Sequence, residues 1–176
     1  MRAAALLCLG ALALAGCGLR PLYGGGSAGP VQSMLAAVQV APIEGQSGWL
    51  VSSALRDRLH AGDETPRYRL EVQLDDQIAG LGVRSDDSVA RERRTLRARY
   101  QLVDLSTGAV VLDATAGSDA GIDVVGSEYA TIAAEKSALE RLSGIVADQI
   151  VARVARFAQA GPGVPATAAA PAAPAQ

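Results

Sequence analysis

The stretch Arg67-Tyr68-Arg69-Leu70-Glu71-Val72-Gln73-Leu74-Asp75 sets every even residue apolar and every odd one polar or charged. Side chains alternate across a strand, so this segment reads as a strand with one dry face and one wet face. Thr95 to Asp104 repeats the pattern, with Leu96, Ala98, Tyr100 and Leu102 set against Arg97, Arg99 and Gln101. Between them, Gly80, Gly82 and Arg84-Ser85-Asp86-Asp87-Ser88 read as an extended hairpin with its tip near Asp86. A third strand follows the turn Leu105-Ser106-Thr107-Gly108 and runs from Ala109 to about Ala120. Strands joined in succession this way pair antiparallel.

Outward from this meander, Val38-Gln39-Val40-Ala41-Pro42-Ile43 alternates and then meets proline, as a short strand does at its end. Ser47 is the expected cap of a helix over about Gly48 to Ala61, with Val51, Ala54, Leu55 and Leu59 on one face and Arg56, Asp57 and Arg58 in water. From Glu128 to about Ala160 the period is helical: Ile132, Leu139, Leu142, Val146, Ile150, Val154 and Phe157 recur at three- and four-residue steps. Ser127 is its expected cap, and Gly144 a place for a bend. One apolar sheet face and two apolar helix stripes predict an α+β two-layer sandwich. In it, two helices pack on one face of a four-stranded, mostly antiparallel sheet over residues 38–160.

The flanks differ from this core. Met1-Arg2 followed by the uncharged small and aliphatic run Ala3 to Gly16 fits an export signal, and the run is shorter than a bilayer-spanning helix. Leu14-Ala15-Gly16-Cys17 matches the lipobox, so residues 1–16 are expected to be removed and Cys17 to carry diacylglycerol and an N-acyl chain. Several acyl chains anchor where one binds only marginally. Gly18, in place of the Asp that signals inner-membrane retention, favours the outer membrane, with the domain on its periplasmic side. Cys8 leaves with the signal and Cys17 is consumed by lipid, which leaves no thiol for a disulfide, metal or nucleophile. Residues 17–37 read as lipidated N-terminus and linker, in part a spacer through Gly24-Gly25-Gly26-Ser27. Residues 161–176, an uncharged Ala/Pro run, read as a disordered tail.

Composition narrows function by exclusion. The 176 residues are 49% hydrophobic, 19% charged and only 3% aromatic, with net charge −2, so the balance does not suggest a nucleic-acid partner. His60 is the one histidine and sits near a helix end. The pairs Asp63-Glu64, Asp75-Asp76 and Asp86-Asp87 fall at loops and strand ends, where solvation is the simpler role. Gly80-Leu81-Gly82 lacks the third glycine and following helix of a dinucleotide loop. No catalytic constellation emerges, and neither a metal nor a cofactor is expected beyond the lipid on Cys17. What stands out is cationic: Arg67, Arg69, Arg91, Arg93, Arg97 and Arg99 are all odd-numbered and share the wet face, whereas Arg94 breaks the parity. Guanidinium forks there suit phosphates or carboxylates. The alternative is a solvated face partly neutralised by Glu71, Asp75 and Glu92. Like charges directly opposite on neighbouring strands would repel.

Cys17-Gly18-Leu19-Arg20-Pro21-Leu22-Tyr23-Gly24, Tyr100-Gln101-Leu102-Val103-Asp104 with Thr107-Gly108, and Ser127-Glu128-Tyr129-Ala130 occur here in that order. Together with the element order they resemble the alphaproteobacterial branch of the LptE family of lipopolysaccharide-assembly lipoproteins over about residues 17–158. The resemblance implies two helices on a four-stranded sheet, seated inside the barrel of the outer-membrane protein LptD, where the lipoprotein supports barrel assembly and lipopolysaccharide delivery. It also implies lipopolysaccharide contact through basic residues, for which Arg91, Arg93, Arg97 and Arg99 qualify by chemistry and not by motif. The chain departs from the pattern in having Lys136 as its one lysine and in its Ala/Pro tail. Two other classes compete: an auxiliary lipoprotein of an ABC-type envelope lipid transport system, holding an acyl chain in an apolar pocket, and a structural envelope lipoprotein without a ligand.

Overall fold

The computed structural model describes residues 29–59, 65–83, 89–124 and 126–160. Cys17, His60, Asp63, Glu64, the hairpin tip at Asp86 and Asp87, and the tail 161–176 lie outside them. Alternation produces one open four-stranded sheet in spatial order β1-β2-β3-β4, with β1 at Val38–Val40, β2 at Tyr68–Val83, β3 at Val89–Asp104 and β4 at Val110–Asp123. β1 runs parallel to β2, with Val38 beside Tyr68. The two remaining pairings are antiparallel, Val72 facing Tyr100 and Tyr100 facing Ala114. The predicted turn between β3 and β4 is closed by Asp104, whose carboxylate accepts the Ser106 N–H at 2.8 Å and the Ser106 hydroxyl. The backbone then turns through Gly108 at φ 72°, a left-handed value that glycine adopts without strain.

The even-numbered sheet residues form the core with the helices. Leu70, Leu96 and Leu102 are fully buried against Val51, Leu55 and Leu59 of α2 (Gly45–Leu59) and Leu142, Val146, Ile150 and Val154 of α3 (Glu128–Ala160). Between the helices, Arg58 forks onto Asp148, with its Nη2 at 3.2 Å from Oδ2. Arg58 is therefore tied across the helix pair where the periodicity put it in water. Gly144 leaves the path open: a Cβ there would stand 3.6 Å from the Arg58 guanidinium, and α3 runs unbroken through it.

Three expectations are corrected. A short helix, α1 (Pro30–Ala36), precedes β1 inside the segment read as linker, and buries Val31 and Leu35. Its proline at the start costs no hydrogen bond, because the first helical N–H groups have no intrahelical partner. The second helix begins at Gly45 rather than Gly48, so Ser47 lies inside it and does not cap it. Gly45 takes φ 81°, and Gly48 packs so tightly that a Cβ would meet the Ile43 carbonyl oxygen at 2.6 Å. The chain thus folds back immediately after Pro42. Finally, Ile132 is 43% exposed. Its turn of α3 precedes Glu135, which Arg94 holds at the sheet, and α2, at about 1.5 Å per residue, is less than half as long as β2, at about 3.3 Å per residue.

Candidate functional site on the uncovered sheet face

All described helices pack on the even-numbered side, so the odd-numbered side of β2, β3 and β4 faces solvent. Arg67, Arg69, Arg91, Arg93, Arg97 and Arg99 all stand there, exposed, as the parity predicted. Register prevents the repulsion expected of them. Arg91 faces Leu81 and Asp123, Arg93 faces Ala79 and Gly121, Arg97 faces Asp75 and Gly117, and Arg99 faces Gln73 and Thr115. No arginine stands directly opposite another among the described residues.

Most of these cations are matched by carboxylates. Arg91 reaches Asp123 at 2.9 Å, Arg99 reaches Asp113 at 3.1 Å, and Arg69 reaches Glu71 at 2.8 Å. Arg93 and Asp119, and Arg67 and Asp104, stand 3.9 Å apart. Asp113 also accepts a Gln101 N–H at 2.9 Å. Hydrogen bonds from Arg99 and then Gln101 hold its carboxyl below the ordinary value, and the same bond raises the Arg99 guanidinium. These pairs are solvent-exposed, so each contributes less than about 1 kcal/mol to stability. Their effect is to turn a row of cations into a near-neutral mosaic of donors and acceptors.

Three of the neutralising acids, Asp113, Asp119 and Asp123, come from β4, which sequence reasoning did not credit. The signal was available, because all three are odd-numbered on an alternating strand. Glu92, expected to help, is even-numbered and stands on the helix side between Gly80 and Ile122. Arg94 is also even, so it breaks no alternation: it turns inward, forks onto Asp76 at 2.7 and 2.9 Å, and donates to the Glu135 carbonyl at 3.0 Å. The Asp76 hydrogen bond raises the Arg94 guanidinium against the opposing effect of burial. Asp75 and Asp76 therefore point to opposite faces and form no acid/base pair.

Arg97 differs from the other five. Asp75 lies opposite it, but both oxygens of that carboxylate accept from the Gln77 Nε2, at 3.0 and 3.2 Å. Among the described residues, Arg97 has no carboxylate within 4 Å, and it lines a depression of about 500 Å3 with Gln73, Asp75, Arg99, Thr115 and Gly117. An unmatched guanidinium in an open, polar hollow can take an anionic or carbonyl oxygen from outside. No group of three or more metal-ligating side chains occurs among the described residues, and none of their helices is long and apolar enough to cross a membrane.

A family model for lipopolysaccharide assembly, LptE, matches residues 35–154. The chain belongs to the LptE family. LptE proteins are non-enzymatic lipoproteins, in keeping with a face built of ion pairs and amides. The fold recurs in a Caulobacter crescentus protein described as a lipoprotein, at 26% identity and TM-score 0.63, covering 75% of this chain and 97% of that one. A minor lipoprotein from Acinetobacter baumannii is 12% identical with TM-score 0.56, covering 69% of this chain and 92% of its own. Lipoprotein B from Nitrosomonas europaea is 15% identical with TM-score 0.54, covering 72% and 90%. At those identities the latter two share the fold alone. No curated protein sequence matches the chain.

Proposed function

We propose that this LptE-family chain is an outer-membrane lipoprotein, anchored by lipid on Cys17 and exposed on the periplasmic side. It plugs and supports assembly of the LptD β-barrel and assists insertion of lipopolysaccharide into the outer leaflet. The observation that carries the reading is the uncovered face of β2, β3 and β4. A barrel lumen is polar, and a body seated in it needs a rigid surface of paired donors and acceptors rather than an apolar patch. Arg97 is the contact we assign first, with Arg91, Arg93, Arg99, Arg67 and Arg69 around it. Family membership and the lipoprotein relative from Caulobacter crescentus support the same reading.

A tag on the 161–176 tail, used to purify the full chain from detergent-solubilised membranes, tests it. Co-elution of a large β-barrel is expected, and Cys17→Ser releases the chain from membranes. Arg97→Gln breaks no ion pair of the described structure and sets no second acid opposite Asp75, so it should fold normally. It should cut recovery of the barrel or of lipopolysaccharide at least tenfold, about 1.4 kcal/mol. Stoichiometric phospholipid without a barrel would favour the lipid-transport class and sink the proposal. Unchanged recovery of both barrel and lipopolysaccharide with Arg97→Gln would remove the arginine face from it.

A further inference from the structure

On the helix side, where the arginine face does not reach, a recess of about 500 Å3 opens between edge strand β4 and α3. Tyr100 points from β3 toward α3, its neighbour across on β4 is Ala114, and Ala152 of α3 lines the same space. The phenol ring itself is only 2% exposed, so the two methyl groups are the apolar surface that the recess offers.

Two of the polar groups around this recess are engaged elsewhere. Asp148, at its rim, is taken by Arg58. The Gln149 amide is spent on the sheet edge: its Oε1 accepts the Gly117 N–H at 3.0 Å and its Nε2 donates to the Gly117 carbonyl at 3.3 Å. What remains is Arg153 and Arg156, three residues apart and so on one side of α3. Neither arginine has a carboxylate within 4 Å among the described residues. Among the described residues Arg156 bonds only through its Nε, to the Ala152 carbonyl at 3.2 Å, and it lines the recess. Burial raises the Tyr100 phenol, and the charges of Arg153 and Arg156 act on it in the opposite sense.

We propose that this recess binds a small amphiphilic oxyanion. Arg153 and Arg156 hold its phosphate or carboxylate head, and a short apolar stem lies on Ala114 and Ala152. Two guanidiniums without acids provide the fork geometry for such a head. A few polar groups beside an apolar wall are the usual makeup of a small-molecule site. The inference uses no residue of the outer sheet face and does not depend on barrel plugging.

The test is isothermal titration calorimetry of the full chain in phosphatidylcholine nanodiscs against hexyl phosphate, hexanoate, inorganic phosphate and hexanol. Hexyl phosphate or hexanoate should bind at least tenfold more tightly than inorganic phosphate, the tighter of the two naming the head group, and hexanol should give no heat of binding. Arg153→Gln with Arg156→Gln should weaken binding at least tenfold. Ala152→Leu, which keeps both charges and fills the hollow, should weaken it comparably, and Arg141→Gln should change nothing. Full affinity in either the double variant or Ala152→Leu overturns the site, as does hexanol binding as well as the anions or no binding of either amphiphile at millimolar concentration. Barrel co-purification with the double variant should be unaltered, which separates failure here from failure of the proposed function.

Discussion

Arg94→Met tests the one charged contact that the sequence pattern left unexplained. The methionine keeps an unbranched apolar stem and removes the guanidinium, deleting the fork on Asp76 at 2.7 and 2.9 Å and the bond to the Glu135 carbonyl at 3.0 Å. The two side chains are only 13% and 20% exposed, so Asp76 is left with a charge that water reaches poorly. Removing one partner of a fully buried pair costs about 3–5 kcal/mol, and hydrogen bonds to charged groups contribute about 1.5–3 kcal/mol. With some water at Asp76, about 2–3 kcal/mol is expected, which lowers the melting temperature of a domain of this size by roughly 10 °C. Thermal and urea melts followed by circular dichroism read the loss. Asp76→Leu combined with Arg94→Met replaces both partners by apolar groups and should recover most of it. Hydrogen exchange should quicken in the first turns of α3, which this contact ties to the sheet beyond the reach of α2. A single variant within 0.5 kcal/mol of wild type, or a double variant as unstable as the single one, would refute the reasoning.

Two further outcomes follow from the packing and the ion pairs. Gly48→Ala drives a Cβ to 2.6 Å from the Ile43 carbonyl oxygen, so the first turn of α2 must shift. The urea midpoint should fall by the equivalent of about 1–3 kcal/mol, and an unchanged midpoint would contradict the tight turn after Pro42. Hydrogen bonding from Arg58 holds the Asp148 carboxyl below its ordinary value, so its contribution is complete above the unfolded-state pKa near about 3.9 and is lost as pH falls through the lower folded value. Asp148→Asn should therefore be slightly less stable than wild type at pH 7, by under about 1 kcal/mol for so exposed a carboxylate, and equally stable in strong acid. A gap that persists in strong acid would argue against the ion pair.

The meander was legible because alternation is a property of the chain itself. Leu70, Val72, Leu96, Ala98, Tyr100 and Leu102 go to the core and Arg67, Arg69, Arg97 and Arg99 go to water in any sheet that pairs these strands. The helical periods of Val51, Leu55 and Leu59, and of Leu139 to Phe157, were readable for the same reason. The short helix Pro30–Ala36 was not, because two turns carry too little period to be told from a spacer, and Val31 and Leu35 find their burial only against the rest of the fold. Of the candidate site, membership of the arginine face was legible and its charge balance was not. Three of the five acids that neutralise it sit on β4, and pairing across strands depends on register.

Residue order alone thus carried the layer architecture, the polarity of each sheet face and the lipobox expectation at Cys17. These rest on periods and short motifs that span a few consecutive residues. Folding settled which arginine remains available. Register puts Asp75 opposite Arg97 while Gln77 claims that carboxylate, turns Arg94 inward onto Asp76, and sets Arg153 and Arg156 beside the recess that Ala114 and Ala152 line. Apart from the local Gln77 contact, each of those facts is a distance between residues far apart in the chain or on different elements, and packing is what brings them together.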